Sequence, residues 1–165
     1  MTEAVIVATA RSPIGRANKG SLVSLRPDDM STQIIEALMK KVPQVQGADV
    51  DDLMMGIGQP AGEGGFNIAR VVAVLAGLDD VPGVTVNRYC SSSLQTIRMA
   101  YHAIKAGEGD CFIAAGVETV SRYSSGASDV APNAIFKPSG ERTKLRAQGG
   151  QPTWTPLAEI GRAHV

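Results

Sequence analysis

Between Ala4 and Ala115, short runs rich in Val, Ile and Leu alternate three times with segments of helical period, a pattern that admits few architectures. Ala4 to Ala8 is the first run, and it is followed by the turn-forming Arg11-Ser12-Pro13-Ile14-Gly15. Asp28 and Asp29 suit the cap of a helix whose apolar face carries Met30, Ile34 and Leu38, with Ile35 beside them, ending near Pro43 and Gly47. Leu53 to Ile57 reads as a second strand, and the glycine-rich stretch from Gly58 to Gly65 reads as loop. A helix capped by Asn67 follows, with Ile68, Val71, Val72 and Leu75 as its apolar stripe and Gly77 as its stop. Val84 to Val86 is the third strand. Leu94, Ile97, Tyr101 and Ile104 then recur at spacings of three, four and three, predicting a helix that sets this face against a core and ends at Gly107. Cys111 to Ala115 is the fourth strand, and residues 121–165 have no sustained period. Connections of this length between strands predict an α/β fold, a mostly parallel sheet with helices on both faces.

Such sheets gather ligands and reactive groups at the carboxyl ends of their strands. The loops at 9–27, 58–66 and 87–90 are therefore expected on one rim. Composition narrows what that rim can serve. Sixteen basic residues balance sixteen acidic ones, so no net field draws the chain to nucleic acid or an anionic membrane. No apolar run approaches the roughly 20 residues that cross a bilayer, and the amino terminus has no basic-then-apolar leader, so a cytoplasmic protein is the expectation. Two cysteines are too few for a disulfide-stapled scaffold or a structural zinc site, and no metal-ligating cluster is visible.

Cys90 follows a buried strand and opens a helix. At such an address the helix dipole and the first-turn amides favour a thiolate and can hold an oxyanion. Position alone leaves two readings open, a nucleophile or a small residue packed where strand meets helix. Cys111, at the start of an apolar strand, reads as structural filling. Gly56-Ile57-Gly58-Gln59-Pro60-Ala61 fits a dinucleotide fingerprint with Asp79 about 20 residues on. Pro60 and the glycines up to Gly65 nevertheless delay the helix to about Asn67, too late for its amino end to meet a pyrophosphate. Gly15 to Gly20 has phosphate-loop spacing but Ser21 in place of the lysine. His102 lies twelve residues beyond Cys90 in one helix, about 18 Å along its axis, which is too far for a base acting on that thiol.

Asn87-Arg88-Tyr89-Cys90-Ser91-Ser92-Ser93 resembles the nucleophile motif N-x-x-C-x-S-G of the thiolase family, the acetyl-CoA acetyltransferases and 3-ketoacyl-CoA thiolases. Arg11 to Arg16 with Lys19-Gly20-Ser21-Leu22 looks like the family's first loop, and Asn67 to Arg70 with Ala76-Gly77-Leu78 looks like its second helix. Ala114 to Arg122 looks like its A-G-G-x-E-x-M-S stretch. Ser93 stands where the motif usually has glycine and adds a side chain to the nucleophile turn.

The resemblance implies a two-step acyl transfer through a thioester on Cys90, with CoA and acyl-CoA as substrates and no bound cofactor. The reaction is either thiolysis of a 3-ketoacyl-CoA in fatty-acid β-oxidation or the reverse Claisen condensation. It also implies a homodimer or homotetramer and, for β-oxidation members, a partner subunit. The family's catalytic histidine and second cysteine belong to G-H-P and C-x-G-G-G motifs that this sequence lacks, so Cys90 alone carries over as a catalytic residue, CoA contacts stay unassigned, and the chain by itself is expected to be inert. Residues 1–120 then read as a nearly complete first β-α-β-α-β-α-β-β repeat, and residues 121–159 as the opening of the inserted loop domain. Residues 160–165 (Ile-Gly-Arg-Ala-His-Val) read as the translation of a sequencing adapter. A ketoacyl-synthase-like condensing enzyme and a non-catalytic CoA- or partner-binding module are the alternatives.

Overall fold

The computed structural model of the chain describes residues 3–122 and the isolated Gln148. The chain divides into units Met1–Gly126 and Ala127–Val165. The second unit lies outside the described residues apart from Gln148, as do the expected adapter segment and all of the expected loop-domain opening except Ser121, Arg122 and Gln148.

Three helices and three strands alternate: α1 (Pro27–Lys41), β1 (Asp52–Gly56), α2 (Ile68–Leu75), β2 (Gly83–Val86), α3 (Ser92–Ala106) and β3 (Phe112–Gly116). The strands form a parallel sheet in the order β2-β1-β3, with Met54 opposite both Val84 and Ala114, and Gly56 opposite both Val86 and Gly116. Side chains alternate across β1. Leu53 and Met55 join Ile35, Ile68, Val72, Ile113 and Val117 in the larger core beneath α1 and α2. Met54, on the opposite face, packs with Ala100 and Ala103 of α3. The α/β reading with helices on both faces is therefore the observed architecture.

The run from Ala4 to Ala8 is not a strand here. Val5, Ile6 and Val7 are 71–76% exposed and pair with no strand among the described residues. A Val/Ile run has strand propensity, but only a neighbouring edge that accepts its amides and carbonyls makes it a strand. The segment is tied instead through Thr9, whose carbonyl accepts from Lys41 Nζ at 2.7 Å.

All three helices form where expected; α1 buries its predicted face, α2 keeps Ile68 and Val72 of its predicted stripe, and α3 is rotated away from the stripe predicted for it. On α1 the buried apolar residue is Ile35, with Met30, Leu38 and Met39 partly buried around it. Pro27 occupies the first turn, where its missing N–H costs nothing. Asp28 is not the cap, and instead takes a fork of two bonds from Arg26. On α2 the sheet-facing residues are Ile68, Ala69, Val72 and Ala73, while Leu75 is exposed. On α3 they are Ser92, Thr96, Ala100 and Ala103. The predicted stripe of Leu94, Ile97 and Tyr101 faces outward, at 68%, 47% and 47% exposure, and Ile104 is half-buried.

The cause is closeness of approach. A Cβ at Gly83 would lie 2.6 Å from the Arg70 amide nitrogen, and a Cβ at Gly56 would overlap the Ser92 carbonyl carbon. Seated this near the sheet, α3 has room only for its small side chains, Ser92, Thr96, Ala100 and Ala103, on the side facing the strands.

At the amino end of β1, burial pushes the Asp52 carboxyl above its ordinary value, against a smaller opposing effect of the Leu53 amide. Its Oδ1 is buried without a hydrogen-bond partner among the described residues. Ionised Asp52 is thus disfavoured in the folded state, so it destabilises the fold above its raised pKa and has no effect where folded and unfolded forms are both protonated. Asp52→Asn is expected to raise stability to urea at pH 7 by about 1 kcal/mol, and the gain should vanish on acidification below the ordinary carboxylate pKa of 3.8. A gain that persists at low pH would contradict the electrostatic cause.

Candidate active site

The carboxyl ends of the three strands meet at one rim. Each ladder runs one bond past its strand: Ile57 donates to the Val86 carbonyl at 3.0 Å, and Val117 donates to the Gly56 carbonyl at 2.9 Å. The loops after β1, β2 and β3 therefore leave the sheet side by side. Cys90 stands in the loop after β2.

Local hydrogen bonds shape the turn that holds it. Asn87 Oδ1 accepts the Tyr89 amide at 2.8 Å, a side-chain turn characteristic of asparagine. Tyr89 adopts φ +48°, a left-handed conformation uncommon for a bulky residue and one that clusters at functional sites. Ser92 Oγ accepts the Arg88 amide at 2.8 Å and donates to the Tyr89 carbonyl at 2.7 Å, so the turn is closed from both sides. Cys90 lies in the single 3₁₀ turn Tyr89–Ser91 that runs straight into α3, and it is exposed. Ser91, at the cap position of α3, makes no side-chain hydrogen bond to the helix. Arg88 Nη1 donates to Gln95 Oε1 at 2.7 Å, which lays this guanidinium along α3.

The seat of α3 fixes the height of this turn. Thr96, fully buried, donates to the Ser93 carbonyl at 2.8 Å and the Ala115 carbonyl at 3.1 Å, stitching the first turn of the helix to β3. Ser93 takes the space above Gly116, where a Cβ would overlap its Oγ. The extra side chain in the motif is thus accommodated over a glycine of the neighbouring strand.

Two groups of residues at the rim have no counterpart in the residue-level sequence reading. Glu118, past β3, accepts the Gly58 amide at 2.7 Å through Oε2. Glu63 receives Arg122 through both carboxylate oxygens, and Arg26 at 2.9 Å; Arg122 also reaches the Ser24 carbonyl. The hydrogen bond from Arg122 holds the Glu63 carboxyl below the ordinary range against a smaller cost of burial, with the charges of Arg122 and Arg26 adding to the effect. Burial would raise Asp28, but the Arg26 hydrogen bond, helped by the Asp29 amide, leaves it lowered. Together with the bond from the Asn18 amide to Ser121 Oγ, these contacts join the loops at 16–26 and 58–66 to the segment after β3. The expected gathering of loops at one rim is observed. The contacts that reach the segment after β3 join residues 59 to 103 apart in sequence, and Arg26 lies 37 residues from Glu63, so no local signal announces them.

The remaining candidates fall elsewhere. Cys111 is half-buried at the foot of β3, and its amide donates to Asp51 at 2.9 Å. Burial first, then the charges of Asp51 and Asp49, pushes its thiol up, as suits a structural cysteine. His102 is exposed and meets Tyr101 edge to face at 5.4 Å. The glycine-rich stretch after β1 ends at Gly65, and α2 opens only at Ile68, so the dinucleotide geometry is not formed.

The family described as the thiolase amino-terminal domain matches residues 4–148. The chain is 46% identical over 123 residues to a 3-ketoacyl-CoA thiolase of Bacillus subtilis, covering 74% of this chain and 31% of that protein. It is 47% identical over 132 residues to a beta-ketoadipyl-CoA thiolase of Acinetobacter baylyi, covering 78% and 33%. A 3-oxoadipyl-CoA/3-oxo-5,6-dehydrosuberyl-CoA thiolase of Escherichia coli is 43% identical over 123 residues, covering 74% and 30%. The chain belongs to the thiolase family. It spans about a third of the length of these curated relatives.

The Ser93–Gly116 contact is testable as a pair. Gly116→Ala is expected to destabilise the fold by about 1–3 kcal/mol through overpacking. Ser93→Gly should remove most of that loss in the double variant, measured as coupling in urea unfolding. Strict additivity of the two changes would show that the two positions do not touch.

Proposed function

We propose that Cys90 is the nucleophile of a thiolase-type acyltransferase and carries the acyl group as a thioester between the α-carbon of a CoA thioester and the thiol of free CoA. The observation that supports this most is the address of Cys90: exposed, on the carboxyl rim of a parallel sheet, in a turn that leads directly into the fifteen-residue α3. There first-turn amides are donors for a developing oxyanion.

In the degradative direction the thiolate adds to the keto carbon of a 3-ketoacyl-CoA. The carbon–carbon bond to the α-carbon breaks, and acetyl-CoA leaves after its α-carbon takes a proton. A free CoA thiol then displaces the acyl group from Cys90 and yields the shortened acyl-CoA. Run in reverse, the same steps form a carbon–carbon bond between two acyl units. The sequence contains neither a G-H-P nor a C-x-G-G-G motif, so the 165-residue chain alone is expected to lack the base and the proton shuttle. In this reading residues 1–120 are the amino-terminal core domain and 121–159 open the inserted domain. The whole enzyme is a cytoplasmic homodimer or homotetramer that uses CoA thioesters as substrates.

The test is acyl labelling of the full-length gene product. Incubation with acetyl-CoA should add about 42 Da to the peptide carrying Cys90, the mass of one acetyl group in thioester linkage. The label should be removed by free CoA and absent from Cys90→Ala. A folded full-length protein that takes no label on Cys90 would overturn the proposal in favour of a non-catalytic CoA- or partner-binding module.

A further inference from the structure

Gly58 is the first amide after β1 whose partner is a side chain instead of the ladder, and that partner is Glu118, sixty residues away beyond β3. The bare face of Gly58 is enclosed. A Cβ there would lie 2.7 Å from Glu118 Oε2 and 3.5 Å from the Tyr89 Cα. The carboxylate and the Tyr89 backbone therefore both line the side of Gly58 where a side chain would stand, which brings the loops after all three strands together at this point. Tyr89 immediately precedes Cys90 and holds φ +48°. A left-handed tyrosine persists only where its surroundings oppose relaxation. Asn87 and Ser92 brace it from within its own turn, and Gly58 lies beside it with its bare face turned toward the Tyr89 backbone.

We propose that Glu118 is a positioning residue for Cys90: by holding the Gly58 amide with a charge-assisted bond, it keeps the loop after β1 in place beside Tyr89 and so fixes the direction in which the thiol points. The inference rests on the nucleophile reading of Cys90. The carboxylate touches neither the thiol nor the substrate in this role. Its contribution is geometric, and a shift of about 1 Å at a reacting atom costs as much as a hundredfold in rate.

The experiment uses the full-length enzyme and three variants, Glu118→Ala, Glu118→Gln and Gly58→Ala, each checked for folding by thermal melting. Two readouts are taken: the rate of Cys90 acylation as a function of acetyl-CoA concentration, and the rate of Cys90 alkylation by iodoacetamide across pH. Glu118→Ala is expected to slow acylation about tenfold or more at saturating acetyl-CoA, with the half-saturating concentration nearly unchanged. The alkylation profile should be displaced from that of the wild type. Glu118→Gln keeps an acceptor oxygen for the Gly58 amide and should recover most of the rate. Gly58→Ala, which displaces the carboxylate without removing it, should behave like Glu118→Ala, and it decides the matter if Glu118→Ala does not fold. A folded Glu118→Ala or Gly58→Ala with wild-type acylation and alkylation overturns the proposal, as does a Glu118→Gln no better than Glu118→Ala. If wild-type Cys90 takes no acyl label at all, the acyltransferase reading fails instead. The alkylation profiles then still report whether Glu118 sets the geometry of this turn.

Discussion

The closeness of helix to sheet governs this fold. Gly56 and Gly116 lie opposite each other on β1 and β3, and neither has a Cβ to keep α3 away. The α3 backbone comes down onto both, and Thr96 fastens it there by donating to the Ser93 and Ala115 carbonyls. Gly83 does the same for α2 on the opposite face, where its missing side chain leaves room for Ala69 and Arg70. Close-packed interiors tolerate little change in volume, so these three positions set the heights of two helices.

The geometry of the candidate site follows from those heights. Cys90 lies two residues before α3, and a helix seated lower or higher would carry its first turn, and the thiol, with it. The parallel sheet contributes the second coordinate. Its ladders run one bond beyond the strands on both sides of β1, and the three loops emerge as neighbours. Around them, charged side chains finish what the backbone starts. Glu63 gathers Arg26 and Arg122 from either side, and Glu118 takes the Gly58 amide. Pairs of this kind, on a half-exposed rim, are individually weak. Together they tie the loops at 16–26 and 58–66 to the segment after β3.

The alternation of runs and helical segments was sufficient to place three strands within a residue of their observed limits, because the strands of a parallel sheet flanked by helices read as short apolar runs. Helix orientation was harder to read. The stripe Leu94-Ile97-Tyr101 has the right period for a core face, yet the sheet takes Ser92, Thr96, Ala100 and Ala103. Hydrophobic periodicity reports that one side of a helix is apolar, and it says nothing about how near the opposing layer comes. The Ala4 to Ala8 run misleads for a related reason, since strand propensity describes a residue's fit to a sheet and not the presence of an edge to join.

Much of the candidate site was local and therefore legible. Asn87, Tyr89, Cys90 and Ser92 lie within six residues, and their hydrogen bonds to one another form one turn between a strand and a helix. That short motif, with its neighbours in order along the chain, was enough to assign the thiolase family and to single out Cys90. What the sequence alone could not assign was any role for Glu118, Glu63, Arg26 or Arg122, or the seat of Ser93 above Gly116. Each depends on groups brought together from strands dozens of residues apart, and only the packed parallel sheet decides which of them meet.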